Sequence, residues 1–68
     1  MRHEEGFGDV LKALREQRGL TQAVLAEKAG IGQPYLAMLE RGVRKNPSID
    51  VLQELAKALG VTVGELVD

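Results

Sequence analysis

The sequence predicts an all-α domain built from five short helices, and three observations carry that expectation. Apolar residues recur at helical spacing in successive stretches. Thr, Ser or Pro opens most of those stretches and Gly closes them. No segment alternates apolar and polar residues for long enough to compete as a strand. Sixty-eight residues support one hydrophobic core, so the helices are expected to form one domain over residues 7–68, behind a flexible lead-in of residues 1–6.

Phe7, Val10, Leu11 and Leu14 fall at i, i+3, i+4 and i+7, one stripe of a first helix that ends near Gly19. Thr21 is a natural N-cap for a second, short helix with Leu25, Ala26 and Ala29 inward, stopped by Gly30. A third helix runs from Gln33 to Arg41. Pro34 fits there because its missing N–H costs nothing in a first turn, and Gly42 ends the helix. Val43 to Pro47 form a basic loop. Ser48 caps a fourth helix with the stripe Ile49, Leu52, Leu55, Ala56 and Leu59, closed by Gly60. Thr62 and Glu65 have capping-box spacing for a last helix with Val63, Leu66 and Val67 as its apolar positions.

Composition narrows the function classes. The chain is 44% apolar with Phe7 and Tyr35 as its aromatics, and it has no cysteine, which excludes disulfides and thiolate metal sites. His3 stands alone, and the carboxylates fall at unrelated spacings, so no catalytic or metal-binding set is expected, nor any cofactor or small-molecule ligand. No apolar run approaches the ~20 residues that span a bilayer, and no signal-peptide pattern is present, so the expected location is the cytosol. The net charge of −1 hides an uneven distribution. Residues 12–45 carry seven cations against three carboxylates, a local net of +4, between acidic ends. Scattered solvated charge would look the same, so this permits a nucleic-acid partner without establishing one.

The spacing between the second and third helices says more. In the window Gln22–Arg41, positions 4, 8, 10, 15 and 18 are the apolar Leu25, Ala29, Ile31, Leu36 and Leu39, with Ala26 fifth and Gly30 ninth. Two helices crossing steeply at a tight turn need a small residue where backbones approach and a glycine for a positive φ. A plain antiparallel hairpin needs neither. In LREQRGLTQ (14–22), LAEKAG (25–30), LERG (39–42) and NPSIDVLQELAKALGV (46–61), the chain resembles the lambda-repressor-like, Cro/C1-type helix-turn-helix family over about residues 8–67. The resemblance implies a five-helix domain that binds double-stranded DNA, usually as a homodimer on a two-fold symmetric site. It implies a transcriptional regulator, a repressor foremost, with the helix from Gln33 to Gly42 in the major groove. An antitoxin-type or other protein-interaction module of the same fold is the alternative.

On a wheel of ~100° per residue starting at Gln33, Ala37, Arg41, Pro34 and Met38 fall between about 40° and 140°, and Tyr35, Leu39 and Leu36 between about 200° and 300°. The second arc must be core, so the first faces outward. Gln33 suits adenine and Arg41 suits guanine or a phosphate, while Ala37 and Met38 offer apolar contact to thymine methyls. Such a sparse face predicts few bases read directly, with some specificity drawn from DNA shape. By the resemblance, Thr21 and Gln22 meet phosphate at a helix N-terminus, with Gln22 bracing Gln33, and Arg44, Lys45 and Asn46 touch the backbone from their loop. Tyr35 either reaches a phosphate through its hydroxyl or packs half-buried. The resemblance also implies that Arg15 and Glu40, the latter at about 340° on the wheel and so beside the buried arc, pair as a structural salt bridge. Val24 and Gly32 stand where the family often has Glu and a capping Ser or Thr, which weakens the caps of the second and third helices. Val63, Leu66 and Val67 either form a pairing surface or close the core. A chain stopping here is also compatible with a piece of a longer regulator.

Overall fold

Helix ends set the layout of the molecule, whose computed structural model describes residues 6–67. Among those residues five α-helices follow one another: α1 (Phe7–Gln17), α2 (Gln22–Ala29), α3 (Gln33–Arg41), α4 (Ile49–Leu59) and α5 (Val63–Val67). The lead-in up to residue 5, with His3, and Asp68 lie outside the described residues. Hydroxyls open three of the helices: at α2 Thr21 Oγ1 accepts from the Val24 amide at 3.1 Å, at α4 Ser48 Oγ accepts from the Val51 amide at 3.2 Å, and Thr62 does the same at α5. The expected box on α5 forms in both directions. The Glu65 amide donates to Thr62 Oγ1 at 3.0 Å, and the Thr62 amide donates to Glu65 Oε1 at 2.8 Å. Gly32, at the N-cap of α3, offers no side chain to cap it.

The turn between α2 and α3 has only Gly30, Ile31 and Gly32 to reverse the chain. Gly30 takes φ 73°, and the Ile31 amide folds back to donate to the Ala26 carbonyl at 3.0 Å. This closes a Schellman turn, whose left-handed residue is least strained as glycine. Ile31 then packs half-buried against the core.

Leucine fills the centre. Leu11 of α1, Leu25 of α2, Leu36 and Leu39 of α3, Leu55 of α4 and Leu66 of α5 are all essentially inaccessible, with Ala26, Ala29, Ala56 and Leu59 between them. Every helix therefore contributes at least one leucine worth about 1.5–3 kcal/mol of burial. The alanines sit where α2 packs on α3 and α4. α1 lies along α3, and α5 closes the end formed by α1 and α4.

One apolar position departs from the sequence expectation, and the alternatives left for the last helix divide between its residues. Ile49 is 62% exposed, off the stripe it was expected to begin. It is the first residue of α4, and side chains lean toward a helix's N-terminus, so it overhangs the end of the core. Leu66 is fully buried and Val63 half-buried, so both close the core, and Val67 is the exposed member of that trio.

Polar contacts tie the helices together. Arg15 grips Glu40 with two parallel bonds, Nε to Oε2 at 2.6 Å and Nη2 to Oε1 at 3.1 Å. Its third nitrogen, Nη1, donates to the Leu20 carbonyl at 2.8 Å. The hydrogen bonds to Glu40 push the Arg15 pKa above its ordinary value. Arg18 Nε donates to the Leu59 carbonyl at 2.9 Å and joins the ends of α1 and α4. Gly8 is buried where the first turn of α1 crosses the last turn of α3. A Cβ there would stand 2.5 Å from the Leu39 carbonyl oxygen and 2.6 Å from that of Glu40. Only a residue without a side chain lets the two backbones approach so closely.

Two stability tests follow. Gly8→Ala should cost about 1–3 kcal/mol, because α1 must move off α3 to admit the methyl. A thermal melt reads this as a fall of roughly 4–8 °C per kcal/mol in a domain of this size. Glu40→Ala leaves Arg15 buried without its carboxylate and should cost about 2–4 kcal/mol; an unchanged melting temperature would show that the bridge carries no stability.

Candidate nucleic-acid interface

The exposed side of α3 is built by the same residues that bury its other side. Leu36, Leu39 and Glu40 face inward, which leaves Gln33, Pro34 and Arg41 exposed and Ala37 and Met38 half-buried at the margins. The expected outward face is there, narrower in its apolar part: Met38, at the edge of the arc, is half-covered rather than fully presented. Among the described residues, no side-chain hydrogen bond ties down Gln33 or Arg41.

Two adjoining clefts extend this face. One is lined by Gly6 to Asp9 of the α1 start, by Leu39 to Gly42, and by Arg44 and Lys45. The other is lined by Asp9, Lys12, Gln22, Glu40 and Arg41. The clefts share Asp9, Glu40 and Arg41, so α1, the first residue of α2, the end of α3 and the α3–α4 loop form one continuous surface. It gathers the cations Lys12, Arg41, Arg44 and Lys45. Of the two carboxylates that line it among the described residues, Glu40 is neutralised by Arg15, and Asp9 Oδ2 faces the Gly6 amide of its own helix start at 3.5 Å. The remaining field is positive, of the sign that draws a polyanion. Lys12 was not singled out from the sequence. Its signal was there: it lies three residues before Arg15, on the same side of α1.

Gln22 corrects one expectation. Its Nε2 donates to Glu40 Oε1 at 3.0 Å instead of bracing Gln33. A carboxylate is the stronger acceptor, and Glu40 already lies between α1 and α2. Glu40 thus receives donors from two helices while belonging to a third. Thr21, its side chain exposed at the N-cap of α2, stands beside Gln22.

The loop after α3 starts from a fixed point. The Val43 and Arg44 amides both donate to the Met38 carbonyl, at 3.0 and 3.3 Å. Arg44, Lys45 and Asn46 are exposed beyond it, and the Arg44 guanidinium lies over the Tyr35 ring. Tyr35 itself is half-buried against the core, the packing alternative expected for it. Among the described residues, no three His, Asp or Glu side chains gather to hold a metal ion, and no helix is long and apolar enough to cross a membrane.

Comparison with known proteins places this arrangement. A family model described as helix-turn-helix matches residues 11–66. The immunity repressor protein of Bacillus phage phi105 is 48% identical over 60 residues, covering 88% of this chain and 41% of the repressor. The chain thus spans about two fifths of that relative's length. Among solved structures, the master regulator for biofilm formation SinR, in complex with DNA, superposes with a TM-score of 0.88 at 39% identity, over 91% of this chain and 98% of that one. The P22 c2 repressor, in complex with a synthetic operator, superposes at 0.87 with 25% identity, over 94% and 96%. Fold, motif spacing and relatives agree: the chain belongs to the helix-turn-helix family, in its lambda-repressor-like, Cro/C1 type.

Proposed function

We propose that this chain binds double-stranded DNA sequence-specifically as a transcriptional regulator, a repressor that acts as a homodimer on a two-fold symmetric operator. The carrying observation is that α3 exposes Gln33 and Arg41, the latter on the continuous surface that joins the start of α2 to a basic loop. A helix of this width fits the major groove, with the polar start of α2 and the cations of the loop available to the flanking backbones. The likeness to structures solved on DNA supports the same reading.

Within it, Gln33 reads an adenine edge, and Arg41 reads a guanine edge or holds a phosphate. Ala37 and Met38 lie against thymine methyls. Thr21, Gln22, Arg44, Lys45 and Asn46 grip phosphate, and Lys12 adds charge to that side. Direct readout through so few polar groups is short, so groove width and bendability carry part of the specificity. One such helix covers too little DNA for a useful affinity, and two-fold pairing sets two of them about 34 Å apart. Val67, exposed at the end of α5, is the apolar residue offered to that pairing.

Selection from a random duplex library tests this. It should return a two-fold symmetric site with fewer than six sharply specified positions per half-site. Gln33→Ala should cost about 1–3 kcal/mol on that site and relax one position. Lys45→Ala should weaken every duplex alike and lower the slope of log affinity against log salt by about one. If the natural chain shifts no duplex at low salt, the fold serves a protein partner instead.

A further inference from the structure

The α3–α4 loop and the first turn of α3 meet at a contact that duplex binding alone leaves unexplained. The guanidinium carbon of Arg44 lies 5.4 Å from the centroid of the Tyr35 ring, inside the ~6 Å range of cation–π attraction. Tyr35 is the third residue of α3 and half-buried, so its ring is held by the core. Arg44 is exposed, but its backbone is pinned by the bond to the Met38 carbonyl. Both ends of the arginine are therefore anchored to α3, the amide by a hydrogen bond and the guanidinium by the ring.

Stacking occupies the flat face of a guanidinium, whereas its N–H groups point outward in the plane. Attraction to the ring face uses up no hydrogen bond, so the Arg44 N–H groups keep their capacity for phosphate oxygens. A solvated arginine loses rotamer entropy when phosphate immobilises it, and the ring contact removes part of that loss beforehand. Resting on the proposed DNA binding, we infer that Tyr35 is a positioning residue. Its ring face holds Arg44 ready for the DNA backbone, and it contributes to affinity through Arg44 rather than through its own hydroxyl.

Fluorescence anisotropy on a mixed-sequence duplex at low salt, with helicity checked by circular dichroism, separates the alternatives. Tyr35→Phe keeps the ring and should bind as the natural chain does. Tyr35→Leu should bind about two- to fivefold more weakly. Arg44→Gln should weaken binding and lower the salt slope by about one. In the Arg44→Gln background, Tyr35→Leu should change nothing further. A loss in Tyr35→Phe equal to that in Tyr35→Leu assigns the effect to the hydroxyl and overturns the inference. So does a Tyr35→Leu loss that persists without Arg44. A natural chain that binds no duplex overturns the DNA reading and this inference together. Should Tyr35→Leu fail to fold, proton spectra of the free natural chain and of Tyr35→Phe decide: ring current shifts the Arg44 δ-methylene signals upfield in both, and unshifted signals overturn the stack.

Discussion

The Glu40 carboxylate organises this molecule. It sits on α3 with 6% of its surface exposed, and receives Arg15 from α1 and Gln22 from α2. Burying a carboxylate is costly unless donors satisfy it, and here three short bonds do so. Hydrophobic burial alone would hold α3 against its neighbours but leave it free to slide or roll by a fraction of a turn. Directional bonds from two helices remove that freedom at the end of α3 that carries Arg41. The same bonds orient the Gln22 amide at the start of α2, so the two ends of the motif are set by one side chain.

Around that carboxylate the backbone contributes as much as the side chains. The close crossing at Gly8 presses the start of α1 onto the last carbonyls of α3. The start of a helix carries partial positive charge and the end partial negative, so the crossing is electrostatically favourable as well as tight. Just beyond it, the Met38 carbonyl takes two amides and launches the basic loop. Position is thus transmitted from core to cations through rigid peptide units rather than through long flexible stems.

Most of the helix layout was legible in the sequence because its signals are local. Thr21, Ser48 and Thr62 mark starts, Gly30, Gly42 and Gly60 mark ends, and the leucine stripes between them name the core. The pairing of Arg15 with Glu40 was legible through the resemblance and the position of Glu40 beside the buried arc. What stayed hidden depends on neighbours distant in the chain. Gly8 reads in sequence only as a weak helix former; its reason lies in the backbone of α3. Arg18 meets a carbonyl forty-one residues away. Gln22 chose Glu40 over Gln33, a competition of acceptors settled only by their placement. Ile49 looked like core because a helical stripe says nothing about where the neighbouring helix stops.

The uncapped start of α3 has a consequence of its own. Gly32 supplies no hydroxyl, and neither Gln33 nor Arg41 makes a side-chain hydrogen bond among the described residues, so these two exposed side chains, which the proposed function assigns to the DNA, add little to the folding free energy. Exposed positions of this kind typically change stability by less than about 0.5 kcal/mol when substituted. Recognition and folding are therefore separable assets in this domain. Under the proposed function, operator preference can drift one residue at a time at the exposed positions 33 and 41, while Glu40, Gly8 and the leucines keep the scaffold constant beneath it.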